Sequence, residues 1–177
     1  MLPEILIAYV TRSGSTAEVA GALGASLREA GVVVEVKPLT DVVSIPEGTS
    51  VILGAALYMG GFPKVFHGFL TRHRNVLAAL RPWVFVLGPT ENKAEHFEGA
   101  RKQSDKELAK YPWLQPAEVR IFGGKFDPQT LKLPFPMSLI MRLPANPMRK
   151  LPPSDIRDWD AIRAWAKSIA DSLKTAA

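Results

Sequence analysis

"YVTRSGSTAEVA", residues 9–20, joins the end of an apolar run to the start of a helix-like pattern. Upstream, "EILIAYV" (4–10) is apolar almost throughout, as a strand covered on both faces is. Downstream, Val19, Leu23 and Leu27 recur at i, i+4 and i+8, and Gly31 is placed to close a helix over 16–30. Between them stand Thr11, Arg12, Ser13, Gly14, Ser15 and Thr16, small and mostly hydroxylic. A strand turning directly into an amphipathic helix is the first half of a strand–helix–strand unit, so the fold class is decided here.

The same alternation continues along the chain. Apolar, β-branched runs return in "VVVEVKPL" (32–39), "SVILGAAL" (50–57), "PWVFVLG" (82–88) and "AEVRIFGG" (117–124). Helical patterns fill the gaps at 63–80, at 92–111 (irregular and strongly polar) and at 158–174. In the last, Trp159, Ile162, Ala166, Ile169 and Leu173 share one stripe. Strand and helix alternating in this way predict an α/β protein with a parallel sheet, right-handed crossovers and helices on both faces. At 177 residues the chain is expected to form a single domain, 1–177.

Composition removes several classes of function. There is no cysteine, hence no disulfide framework, thiolate metal site or cysteine nucleophile. His67, His73 and His96 lack the spacing and companions of metal ligands and read as packing or solvated residues, so no metal is expected. No "GxSxG" elbow, "GxxxxGK" loop or "GxGxxG" fingerprint is present. The first residues carry Glu4 within their apolar run and no basic segment, unlike a signal peptide, and no run approaches the roughly 20 apolar residues of a membrane span. A cytoplasmic protein is expected.

The net charge of +5 is localised. Between Arg120 and Lys150 stand Arg120, Lys125, Lys132, Arg142, Arg149 and Lys150 against Asp127 alone, and the rest of the chain balances. An anionic partner is expected at that stretch. It overlaps "FDPQTLKLPFPMSLIMRLPANPMRKLPP" (126–153), which holds seven of the 15 prolines. So long an insertion in a compact domain is ordinarily functional, and this one mixes Phe135, Leu139, Ile140, Met141 and Leu143 with Lys132 and Arg142. It reads either as a peripheral membrane contact or as a lid folded on its own domain.

In an open α/β sheet, ligands bind beyond the carboxyl ends of the strands, near the switch point of the strand order. Three such ends carry candidate residues. "TRSGST" (11–16) sets backbone N–H groups and hydroxyls at a helix start, an anion site to which the helix dipole contributes. Ser15 as an N-cap with Glu18 completing a capping box is compatible with that use. After the third run, Leu57, Tyr58, Met59, Gly60 and Gly61 offer an aromatic face and a glycine pair. After the fourth stand Gly88, Pro89, Thr90, Glu91 and Asn92; Asn92 is equally placed to start the next helix.

"TRSGST" resembles the T-x-[ST]-G-x-T phosphate loop of the flavodoxins, and the order of strands and helices is similar over nearly the whole chain. The resemblance implies a flavodoxin-like three-layer, doubly wound sandwich with strand order 2-1-3-4-5 and an insertion before the last helix. It implies FMN as cofactor. Thr11, Arg12, Ser13, Gly14, Ser15 and Thr16 would hold its phosphate, and Leu57–Gly61 with Gly88–Asn92 its ring and ribityl chain. Within that fold, "SIPEGTSVILGAALYMGGFPKVFHGFLTRHRNVLAAL" and "DIRDWDAIRAWAKSIADSL" are similar to the bacterial quinone-dependent protoporphyrinogen oxidases. The D-x-R-D-W-like start of the last segment is Asp155, Arg157, Asp158 and Trp159, where Asp158 also reads as an N-cap and Trp159 as a core anchor.

The expected function is therefore FMN-dependent oxidation of a reduced, flat, anionic substrate such as a tetrapyrrole, with a quinone as acceptor. No side chain is nominated as an obligatory acid or base. The alternative is a flavodoxin-like carrier with no substrate of its own, against which the basic pI of about 9.6 weighs. Nucleic acid is not an expected partner, because the basic stretch has no regular recognition pattern.

Overall fold

The computed structural model describes residues 4–58, 61–129, 138–139, 147 and 151–176. Its elements follow the alternation in the sequence. β1 (Ile5–Tyr9) leads into α1 (Ser15–Glu29), β2 (Val34–Pro38), a short 3₁₀ turn (Leu39–Asp41) and β3 (Ser50–Ala56). Then come α2 (Lys64–Arg72), α3 (Arg74–Ala79), β4 (Trp83–Leu87), α4 (Ala94–Leu108) and β5 (Glu118–Phe122). A small pair, β6 (Lys125–Phe126) and β7 (Ser154–Asp155), brackets the 126–153 insertion, and α5 (Trp159–Ala176) closes the chain. The first five strands form one parallel sheet in the order β2-β1-β3-β4-β5, as expected.

Alternation along each strand divides the core in two. In β1, Ile5 and Ile7 face one side and Leu6 and Ala8 the other, all at most 1% exposed. In β4, Phe85 and Leu87 join Ile5 and Ile7, while Val84 and Val86 join Leu6 and Ala8. This is why these strands read as unbroken apolar runs. The first side is covered by α1 and α5 through Val19, Leu23, Leu27, Ile162, Trp165 and Ile169; the second by α2 and α3 through Phe66, Phe69, Leu70 and Leu77. Gly54 is required at the centre of β3. It pairs with Phe85, and a Cβ there would collide with the Phe85 ring, which packs edge-on against Trp165.

Helix ends follow local chemistry. α1 closes in a Schellman arrangement: Gly31, at φ +89°, donates to the Arg28 carbonyl, and Val32 N–H donates to Leu27. Asp158 caps α5, accepting the Ala161 N–H at 2.9 Å. Two expectations need correction. The helix over 63–80 is broken into α2 and α3 at His73, which is 8% exposed and packs on Phe69. The helix expected from 92 starts at Ala94, with Lys93 as its extended N-cap residue and no side-chain cap, so Asn92 does not start it.

Candidate functional site

Three loops leave adjacent strands at the carboxyl edge of the sheet. Val10 N–H donates to the Gly54 carbonyl, Leu57 N–H to Leu87 and Gly88 N–H to Phe122, each at 2.9 Å. The strand order reverses between β1 and β3, so the loops after β1, β3 and β4 surround the switch point. The concavity lined by Ser50, Trp83, Ala117 and Leu173 lies at the opposite, amino ends of the strands.

The first loop holds Thr11, Arg12, Ser13, Gly14, Ser15 and Thr16 together. Thr11 Oγ1 accepts the Gly14 N–H at 2.9 Å, and Gly14 takes φ +91°, a left-handed conformation suited to glycine. Gly14, not Ser15, is the N-cap residue, and it makes no side-chain cap hydrogen bond. The capping box is likewise absent, because the Glu18 carboxylate is engaged by the buried guanidinium of Arg157. Thr16 is 1% exposed, and its Oγ1 is buried in the first turn with no hydrogen-bond partner among the described residues.

In the second loop, Tyr58 and Gly61 exchange backbone hydrogen bonds at 3.1 and 2.9 Å, forming a tight turn. Met59 and Gly60 lie outside the described residues. The Arg12 guanidinium sits 4.1 Å from the Tyr58 ring centre, so a cation–π contact joins the first loop to the second. Burial holds the Tyr58 phenol above the usual tyrosine range, outweighing the opposing pull of Arg12. In the third loop, Gly88, Pro89 and Thr90 are half-buried, whereas Glu91 and Asn92 are exposed. Lys93 pairs with Glu91 at 2.6 Å and holds its carboxyl below the usual range.

Other residues, not anticipated from the sequence, fix these loops. Glu107 of α4 is buried against Gly61, where φ is +107° and a Cβ would meet the carboxylate. It pairs with Lys110 at 2.7 Å, lies 3.2 Å from His67 Nε2 and accepts the Phe62 N–H. Burial raises its pKa, but these partners outweigh burial and hold it below the usual carboxylate value. His67 also contacts the Tyr111 hydroxyl at 2.6 Å. Gln103 Nε2 donates to the Tyr58 carbonyl. On the other side, Gly124 N–H donates to Pro89 at 2.7 Å and Ser154 Oγ to Thr90 at 3.0 Å. The roots of the insertion therefore stand beside the third loop; most of 126–153, including most of the mixed apolar and basic segment, lies outside the described residues.

The sequence matches the flavodoxin domain over residues 6–147, most of the chain. The chain belongs to the flavodoxin-domain family. This flavodoxin domain is 23% identical over 183 residues to protoporphyrinogen IX dehydrogenase [quinone] of Leishmania major, covering 95% of this chain and 75% of that protein. Among solved structures it is similar to a flavodoxin variant from Pseudomonas aeruginosa, at TM-score 0.57 and 15% identity, covering 96% of this chain and 98% of that one. It is also similar to a flavo di-iron protein variant from Thermotoga maritima, at TM-score 0.56 and 15% identity. That likeness covers 98% of this chain but 36% of the larger protein, so this flavodoxin domain spans about a third of it. Among the described residues, no helix is long and apolar enough to cross a membrane.

Proposed function

We propose that this chain binds FMN at the carboxyl edge of its sheet and works as a single-domain, protoporphyrinogen-oxidase-like oxidoreductase. Electrons would pass from a reduced, flat, anionic substrate to a quinone. The observation that carries the cofactor reading is the orphaned Thr16 Oγ1. A buried hydroxyl without a partner is costly, and this one stands at the start of a 15-residue helix whose N-cap residue, Gly14, makes no side-chain cap bond. A phosphate in that turn would accept from Thr16, from the uncapped N–H groups and from the hydroxyls of Thr11, Ser13 and Ser15. The residues present fit the group.

In this reading Thr11, Arg12, Ser13, Gly14, Ser15 and Thr16 hold the phosphate. Leu57, Tyr58, Met59, Gly60 and Gly61 line one side of the ring, and Gly88, Pro89, Thr90, Glu91 and Asn92 line the other side and the ribityl chain. When bound, FMN supplies the redox chemistry. Tyr58, kept a neutral phenol, presents a flat aromatic face, and Glu107 with Gln103 keeps its turn in place. Arg12 crosses between the loops and is placed to meet an anionic group. The 23% resemblance to a quinone-linked protoporphyrinogen dehydrogenase supports the substrate class, and the basic stretch from Arg120 to Lys150 suits tetrapyrrole carboxylates or anionic lipid at a membrane surface.

The test is anaerobic mixing of FMN-loaded protein with protoporphyrinogen and a menaquinone analogue. Formation of protoporphyrin with matching quinone reduction is expected. A protein that binds FMN and is inert to this pair would overturn the substrate assignment. It would favour the second reading, a carrier with no substrate of its own, which the near-complete mutual coverage with a flavodoxin supports.

A further inference from the structure

Glu18 stands in the first turn of α1, where its carboxylate would repel a phosphate held at that helix end. The fold meets this charge with a buried arginine. The Arg157 side chain is 2% exposed, and its Nη1 donates to Glu18 Oε2 at 2.8 Å. Its Nε and Nη2 grip both oxygens of Asp155, at the end of β7, and its guanidinium lies 4.6 Å from the Trp159 ring centre. Lys125, on the partner strand β6, stands 3.9 Å from Glu18 Oε1. Two carboxylates and two cations thus make a neutral cluster behind the Thr11–Thr16 turn. Arg157 Nη1 also reaches the Ser15 carbonyl at 3.4 Å. A planar trans peptide points its N–H opposite to its C=O, so a carbonyl drawn toward Arg157 turns the Thr16 N–H the other way.

We infer that Arg157 is a positioning and charge-balancing residue for the phosphate end of the flavin: it cancels Glu18 and sets the Ser15–Thr16 peptide. This role rests on the flavin reading above. It gives the D-x-R-D-W-like segment a use beyond capping α5, since Asp155 anchors the guanidinium and Trp159 covers its face. It also links the root of the insertion to the cofactor loop through one side chain.

The experiment compares FMN with riboflavin, which has the ring and ribityl chain but no phosphate, by fluorescence titration of the full chain. Arg157→Met, which keeps the apolar stem and loses the guanidinium with its charge, is expected to weaken FMN about tenfold and leave riboflavin within about twofold. Glu18→Gln is expected to strengthen FMN about threefold, and the double variant to return to within about threefold of wild type. Equal weakening of both flavins would show a stem clamp with no phosphate role, and a double variant no better than Arg157→Met would overturn the charge balance. Should Arg157→Met not fold, Glu18→Gln decides alone, and unchanged or weaker FMN binding would overturn the inference. Wild-type chain that binds neither flavin would instead overturn the proposed function on which this role depends.

Discussion

Thr16 and Gly54 differ in what they give up. The Thr16 hydroxyl is buried and unpartnered, so it reduces the stability of the ligand-free fold in favour of a ligand. Thr16→Val keeps the shape and removes the polar atom. Urea denaturation of the apo chain is expected to show unchanged stability or a gain of up to about 1 kcal/mol, with FMN binding weakened by about tenfold or more. A loss of apo stability would mean that the hydroxyl has a partner within the fold. Gly54 gives up a side chain so that Phe85 can lie over β3. Gly54→Ala is expected to cost about 1–3 kcal/mol in the same measurement, because the ring sits between β3 and Trp165 and has nowhere to retreat.

Among the elements, the β6–β7 stem and α5 do different work. Arg157, by its hydrogen bonds, holds the Asp155 carboxyl below the usual carboxylate value. A carboxyl with a depressed native pKa contributes stability above its unfolded value, and that contribution is lost as pH falls through the native value. The stem is therefore expected to weaken from near pH 4 downward, and Asp155→Asn to flatten that part of the stability profile followed by circular dichroism. α5 is held by apolar burial instead, and Ile169→Ala is expected to cost about 2–5 kcal/mol with little dependence on pH. All five sheet strands are legible in the sequence because buried strands leave long apolar runs. The α2–α3 break is not, since His73 and its neighbours keep helical periodicity through it. The start of α1 also misleads: "STAE" has the form of a capping box, but Arg157, 139 residues distant in sequence, takes Glu18.

Across the whole molecule, the order of strands places the three candidate loops at one edge, and this much follows from the alternation of apolar runs alone. What supports the loops does not. Glu107 reads as one more charge on a polar helix until the fold sets it against Gly61, and the D-x-R-D-W-like segment reads as a cap and an anchor until Arg157 meets Glu18. Both act through contacts between residues far apart in the chain, which leave no local period or spacing. The excess of positive charge from Arg120 to Lys150 takes in β6, whose pair with β7 stands beside the third loop at the same edge. The central claim is that this edge holds FMN, and the most direct measurement is the visible absorption spectrum of the purified protein titrated with FMN. Shifted, structured flavin bands that saturate at one FMN per chain and survive gel filtration are predicted; a spectrum that stays that of free FMN throughout would contradict the account.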